Sequence, residues 1–135
     1  MRRPAALPPE LAVRPAFALR SALELGASRR RLEASDLRSP FRGARLHAGL
    51  PLDVQHLAAA YAARMPPTQF FSHTTAAILG GVPLPRRVEL DTRLHVSVFA
   101  GDPQPRVRGV IGHQLDRGRT GTVATRSSRP SRAAS

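Results

Sequence analysis

Apolar residues recur along this chain in short bursts separated by proline and glycine. Phe17, Leu19, Leu23 and Leu25, mixed with alanine and halted at Gly26, predict a helix over residues 17–25 with a glycine at its C-terminal end. Ser28 then stands as the N-cap of a second predicted helix, residues 29–36, anchored by Leu32. Residues 38–46, RSPFRGARL, alternate imperfectly around Pro40 and Gly43 and predict a short hairpin or wing. Asp53 caps a helix predicted to run to Met65, with Val54, Leu57, Ala58 and Tyr61 on one face and Pro66-Pro67 ending it. Ser72 caps a short helical segment, 73–79, closed by Gly80-Gly81. Beyond it Leu94, Val96 and Val98 alternate with His95 and Ser97, the period of a half-buried strand over 93–100. Gly101-Asp102-Pro103 turns the chain, and RVRGVIGHQL (106–115) is the predicted hairpin partner, with Gly109 and Gly112 marking a bulge or bend.

The most informative stretch is LRSALELGASRRRLEASDL (19–37), where Ala22 lies four residues before Gly26 and Leu32 six after it. That is helix-turn-helix spacing: the alanine lets two helices approach, the glycine takes the left-handed turn, and Leu25 and Leu32 pack the pair. Ser21 and Ser35 stand where such motifs place apolar residues, so the motif is degenerate. The expected fold is α+β in four parts. They are an extended lead-in over 1–9, a degenerate winged helix-turn-helix over 10–46, a small helix-plus-hairpin region over 47–115, and a tail over 116–135. Pro4, Pro8, Pro9 and Pro15 argue against helix in the lead-in. The tail has only Val123 as a sizeable apolar residue and is expected to be disordered and basic.

Charge sharpens this division. The chain has 135 residues and a net charge of +12, from 21 basic residues, all arginine, against nine acids. Ten arginines against four acids lie in 1–46, four against three in 47–100, and seven against two in 101–135. A basic front, a nearly neutral centre and a basic end point to a polyanionic partner. With one Tyr, five Phe and no Trp, the core must be built mostly from Leu, Val and Ala. The absence of Cys excludes disulfides and thiolate metal sites and suits a reducing cytoplasm. No apolar run reaches the roughly 18 residues that span a bilayer, so no membrane partner is expected.

On helix-turn-helix geometry the second helix turns Arg29 and Arg30 outward, with Arg31 beside them, and Arg42 and Arg45 ride on the wing. Arginine there reaches phosphates or guanine edges in the major groove, and these five are the expected nucleic-acid contacts. Nothing comparable points to catalysis. Ser72-His73 reads as a cap and its neighbour, and Glu89 and Asp91 have no nearby lysine or metal partner for acid–base work. His47, His56, His73, His95 and His113 form no metal-ligand spacing, and no glycine-rich phosphate loop is present, so neither metal nor cofactor is expected.

In order, the blocks LPPELAVRPAF, ALELGASRRRLEASDL, SPFRGARL, FFSHTTAAILGGVPLP, LHVSV and RGVIGHQL resemble the N-terminal part of actinobacterial AbiEi-type antitoxin proteins of type IV toxin–antitoxin systems. The resemblance covers residues 7–115. It implies a winged-helix DNA-binding region followed by an antitoxin-like domain, in a family whose members often continue into a very-short-patch-repair-like endonuclease domain. That domain has no counterpart in this sequence, and after GHQL the resemblance ends, so the chain is expected to be a truncated, non-catalytic form. The expected function is a DNA-binding transcriptional regulator or antitoxin-like protein. The alternative is a protein-interaction module that binds a toxin or nuclease, or a remnant of an endonuclease-domain protein.

Overall fold

The computed structural model describes residues 4–116. The expected tail lies outside the described residues apart from Asp116, as do the first three residues of the lead-in. The described residues form six short helices and two three-stranded sheets, an α+β architecture. The chain divides into two compact units, Met1–Arg64 and Met65–Ser135.

The first unit runs α1 (Pro9–Ala12), β1 (Ala16–Ala18), α2 (Leu19–Glu24), α3 (Arg29–Leu32), β2 (Leu37–Arg38), β3 (Ala44–His47) and α4 (Val54–Arg64). Its sheet is antiparallel with β3 central, in the order β1-β3-β2; Phe17 pairs with Arg45 and Arg38 with Leu46. Helix α1 forms despite the prolines because Pro9 occupies the first helical position, where a missing N–H breaks no bond. The helix expected from residue 17 starts two residues later. Residues 16–18 are drawn into the sheet instead, and the Leu19 amide donates to the Gly43 carbonyl at 2.9 Å.

Helix α2 ends in a Schellman cap. Gly26 sits at φ +100°, its amide donates to Leu23, and the Ala27 amide donates to Ala22, both at 3.0 Å. Ala22 is fully buried and shares a core cluster with Leu11, Phe17, Leu32 and Leu37. Leu25 does not join it, being 44% exposed; Leu19 and Leu23 pack against the cluster instead. Helix α3 is one turn, shorter than the 29–36 expected. Ser28 caps it, its Oγ accepting from the Arg31 amide at 3.0 Å. The amides of Glu33 and Ala34 then reach back only three residues, to Arg30 and Arg31, which tightens the helix end and closes it.

The Asp53 cap on α4 is present, with Oδ1 accepting from the His56 amide at 2.9 Å. Val54, Ala58, Ala60 and Tyr61 are buried, and Tyr61 meets Phe41 of the β2–β3 loop edge-on, centroids 5.3 Å apart. That packing places α4 with the first unit, so the division falls after Arg64 and not after Leu46.

The second unit comprises β4 (Phe70–Phe71), α5 (His73–Leu79), α6 (Arg86–Glu89), β5 (Leu94–Phe99) and β6 (Val110–Leu115). The expected hairpin is overturned: β6 runs parallel to β5, in register from Leu94↔Val110 to Phe99↔Leu115, and β4 pairs antiparallel on the other side of β5. The chain turns at Gly101, as expected, but residues 100–109 then return along β5 before β6 begins. A six-residue strand is about 20 Å long, and extended chain covers about 3.3 Å per residue, so this short crossover suffices without a helix. Gly112 lies under the returning segment, where a Cβ would meet Gln104 Oε1 and the Pro105 ring at 3.2 Å.

Candidate nucleic-acid interface

The five arginines singled out by the sequence occupy two kinds of position. Arg29 and Arg30 on α3, and Arg42 in the β2–β3 loop, are exposed, and none of them enters a salt bridge among the described residues. Arg31 is held within the fold. Its Nη1 and Nη2 donate to Asp36 Oδ1 and Oδ2 at 2.9 and 2.8 Å, and its Nε donates to the Ala5 carbonyl. The Arg31 side chain is only 12% exposed. Its hydrogen bonds hold the Asp36 carboxyl below the usual carboxylate range.

Arg45 is also engaged. From the central strand its Nε donates to the Leu32 carbonyl at 2.7 Å, and its Nη1 to Ser39 Oγ at 3.1 Å and the Ala44 carbonyl at 2.9 Å. One guanidinium thus joins the end of α3, the loop after β2 and its own strand. Arg29, Arg30 and Arg42 are solvent-facing cations on this frame, and Arg31 and Arg45 brace it. Arg20 on α2 and Arg38 on β2 are further exposed cations of the unit, not singled out in the sequence because neither lies on the expected recognition helix or wing tip. Glu33 is exposed beside Arg29 and Arg30 at the C-cap of α3.

The second unit assembles a group that spacing did not reveal. His73, at the start of α5, stacks on His113 of β6 with centroids 3.8 Å apart and planes at 17°. His95 of β5 lies nearly parallel to both, 5.7 and 5.1 Å away, with its Nδ1 2.9 Å from His113 Nε2. Ser72 was expected to cap α5, but its hydroxyl makes no cap bond. It accepts from Ser97 Oγ at 2.6 Å and lies 2.9 Å from His73 Nδ1. His73 itself sits at φ +55°, a left-handed conformation uncommon for a residue with a Cβ. His95 and Ser97 share a strand face by period two. Bringing His113 beside them requires the parallel register Ser97↔His113, which no local pattern encodes.

No family model, curated protein or solved structure matches the chain. Among the described residues, no group of three or more His, Cys, Asp or Glu side chains is placed to hold a metal ion, and no helix is long and apolar enough to cross a membrane.

Proposed function

We propose that the first unit is a winged helix-turn-helix that binds duplex DNA, and that the chain is a DNA-binding regulator or antitoxin-like protein of the AbiEi type, acting in the cytoplasm by binding and not by catalysis. The observation that carries this reading is the element order α1-β1-α2-α3-β2-β3 closed by an antiparallel β1-β3-β2 sheet, with Arg29 and Arg30 exposed on α3 and Arg42 exposed between β2 and β3. In such an arrangement the second helix of the turn enters the major groove, and the hairpin lies along the backbone. The uneven charge supports it, since the basic front of the chain supplies the first unit. Because α3 is a single turn, Arg29 and Arg30 provide most of its possible base or phosphate contacts, and discrimination between sequences is weak.

The test is fluorescence anisotropy with a random-sequence duplex over a salt series. Arg29→Ala with Arg30→Ala is expected to weaken binding at least several-fold and to lower the slope of log K against log salt by about 2, since each phosphate contact contributes about 0.9. Unchanged affinity and slope would reject the site.

A second reading, docking of a toxin or nuclease partner, is favoured by one observation. Leu79, Val82 and Leu90 of the second unit are exposed large apolar residues within a short stretch of chain. Co-purification of a stoichiometric protein free of nucleic acid would favour it over the first.

A further inference from the structure

The three-imidazole group of the second unit is the most unusual arrangement in the molecule. Its rings come from three elements, α5, β5 and β6. Each is fixed by its surroundings. Ser97 donates to Ser72, Ser72 Oγ contacts His73 Nδ1, the Ser72 amide donates to the His95 carbonyl at 3.0 Å, and the His95 amide donates to Thr75 Oγ1 at 2.8 Å. Ser72, Thr75 and Ser97 are all buried. Buried hydroxyls held by one another, by backbone and by the His73 ring are positioned rigidly, so the rings they locate have little freedom to separate without breaking the network.

The arrangement is built for neutral rings. In the His95–His113 pair one nitrogen must donate and the other accept, and an imidazolium has no acceptor nitrogen. A singly charged pair keeps the bond, whereas a doubly charged pair has two N–H groups facing at 2.9 Å and loses it. The 3.8 Å stack of His73 on His113 is likewise disfavoured when both rings carry charge. The same bond explains why the group is not read as a cation site: the nitrogens of His95 and His113 that face each other are directed into their mutual hydrogen bond.

We infer that His73, His95 and His113 form a proton-operated latch, which clamps α5 and the edge strand β6 onto β5 while the rings are neutral and releases β6 when His95 and His113 are both charged. β6 is suited to release because, among the described residues, it is a sheet edge paired only with β5. Electrostatics act in the same sense. Burial, then the His73 and His95 charges, take His113 down to about 4. Burial lowers His95 as well, with His73 and Arg93 adding to the effect and Asp91 opposing it. Asp91 and Arg93 are themselves paired, at 2.6 Å between Oδ2 and Nη2, so their fields at His95 partly cancel. His73 is the sole titratable residue of α5, β4 has none, and the crossover 100–109 carries Asp102, Arg106 and Arg108.

The sign follows directly. A histidine whose pKa is depressed on folding binds protons more readily in the open state, so the latch holds above the ordinary histidine value near 6.5 and weakens as pH falls from there toward about 4.

The test uses the full chain and two readouts. Imidazole titration by NMR is expected to place His113 below 5.5. Amide hydrogen exchange, corrected for intrinsic rate, is expected to show protection of residues 110–115 falling at least 10-fold between pH 7 and pH 4.5, with less than 3-fold change at residues 44–47 of the first unit. His113→Phe keeps a flat ring and removes the His113 titration, so the doubly charged His95–His113 pair cannot form and its β6 protection is expected to change less than 3-fold over the same range. A His113 midpoint above 6, equal loss of protection in both units, or an unchanged acid response in His113→Phe would each overturn the latch. If His113→Phe fails to fold, the wild-type titration and exchange decide alone.

Discussion

The Nε of Arg45 donates to the carbonyl oxygen of Leu32 at 2.7 Å, so the central strand of the first sheet grips the last residue of α3 through a side chain that charge patterning alone assigns to DNA. Together with its bonds to Ser39 Oγ and the Ala44 carbonyl, this makes Arg45 a brace between the helix and the hairpin.

A brace and a phosphate contact respond differently to salt. Arg45→Ala is expected to destabilise the first unit by about 1–3 kcal/mol, the range for losing hydrogen bonds to a charged group. It should also weaken duplex binding while leaving the salt slope within about 0.3 of wild type, whereas Arg42→Ala should leave stability unchanged and lower the slope by about 1. Urea denaturation and anisotropy on the same variants separate the two roles. A slope reduced by one in Arg45→Ala, with unaltered stability, would place Arg45 on the nucleic acid.

The Arg31–Asp36 pair gives the acid side of the stability profile. Arg31 holds the Asp36 carboxyl below its ordinary value, so the pair's contribution is complete above that ordinary value and disappears as pH falls through the lowered one. Asp36 is 39% exposed, and solvent screening limits the contribution at neutral pH to about 1 kcal/mol or less. Asp36→Asn is therefore expected to lower the urea midpoint of the first unit slightly at pH 7 and to converge on wild type as pH falls below the ordinary carboxylate value and through the lowered one. A constant difference across that range would show that the loss is steric.

How much of this was legible in the sequence depends on the range of the interaction that decides each element. Ser28, Gly26, Asp53 and the segment 73–79 were readable because caps and turns are settled within four or five residues. The hairpin of β2 and β3 was readable for the same reason. Strand β1 was not, since its three residues pair with a partner almost thirty positions away and are too few to display a period. The parallel course of β6 was hidden because alternation gives a strand's faces and not its direction. At the candidate interface, Arg29, Arg30 and Arg42 were found as exposed cations, but Arg31 and Arg45 look identical to them in sequence. Their engagement depends on Asp36, five residues on, and on Leu32, thirteen residues back, each brought near only by the fold.

Gly26 is expected to tolerate no ordinary side chain without loss. Its φ of +100° lies in the region glycine favours, while a Cβ there would meet nothing within 4 Å, so any penalty comes from the backbone and not from crowding. Gly26→Ala should lower the stability of the first unit by about 1–2 kcal/mol, with Gly26→Asn losing less, because asparagine enters left-handed conformations more readily. Circular dichroism melts of the two variants check the order. Equal losses would point to a packing effect that the structure does not contain.

At Gly112 the opposite balance holds, and the outcome distinguishes the parallel crossover from a hairpin. The backbone there is ordinary for any residue, but an added Cβ would lie 3.2 Å from Gln104 Oε1 and from Cγ and Cδ of Pro105. The glutamine oxygen is the end of a flexible side chain and moves aside readily. The proline ring belongs to the backbone of the returning segment and does not. Gly112→Ala is therefore expected to destabilise the second unit by about 1 kcal/mol and Gly112→Val by about 2–3, typical of overpacking. Adding Gln104→Ala to Gly112→Ala should recover little, because it leaves the Pro105 contact in place, whereas adding Pro105→Ala should recover most of the loss. Urea midpoints for the four variants measure this, and full recovery by Gln104→Ala alone would mean that the Pro105 ring does not press on Gly112 as described.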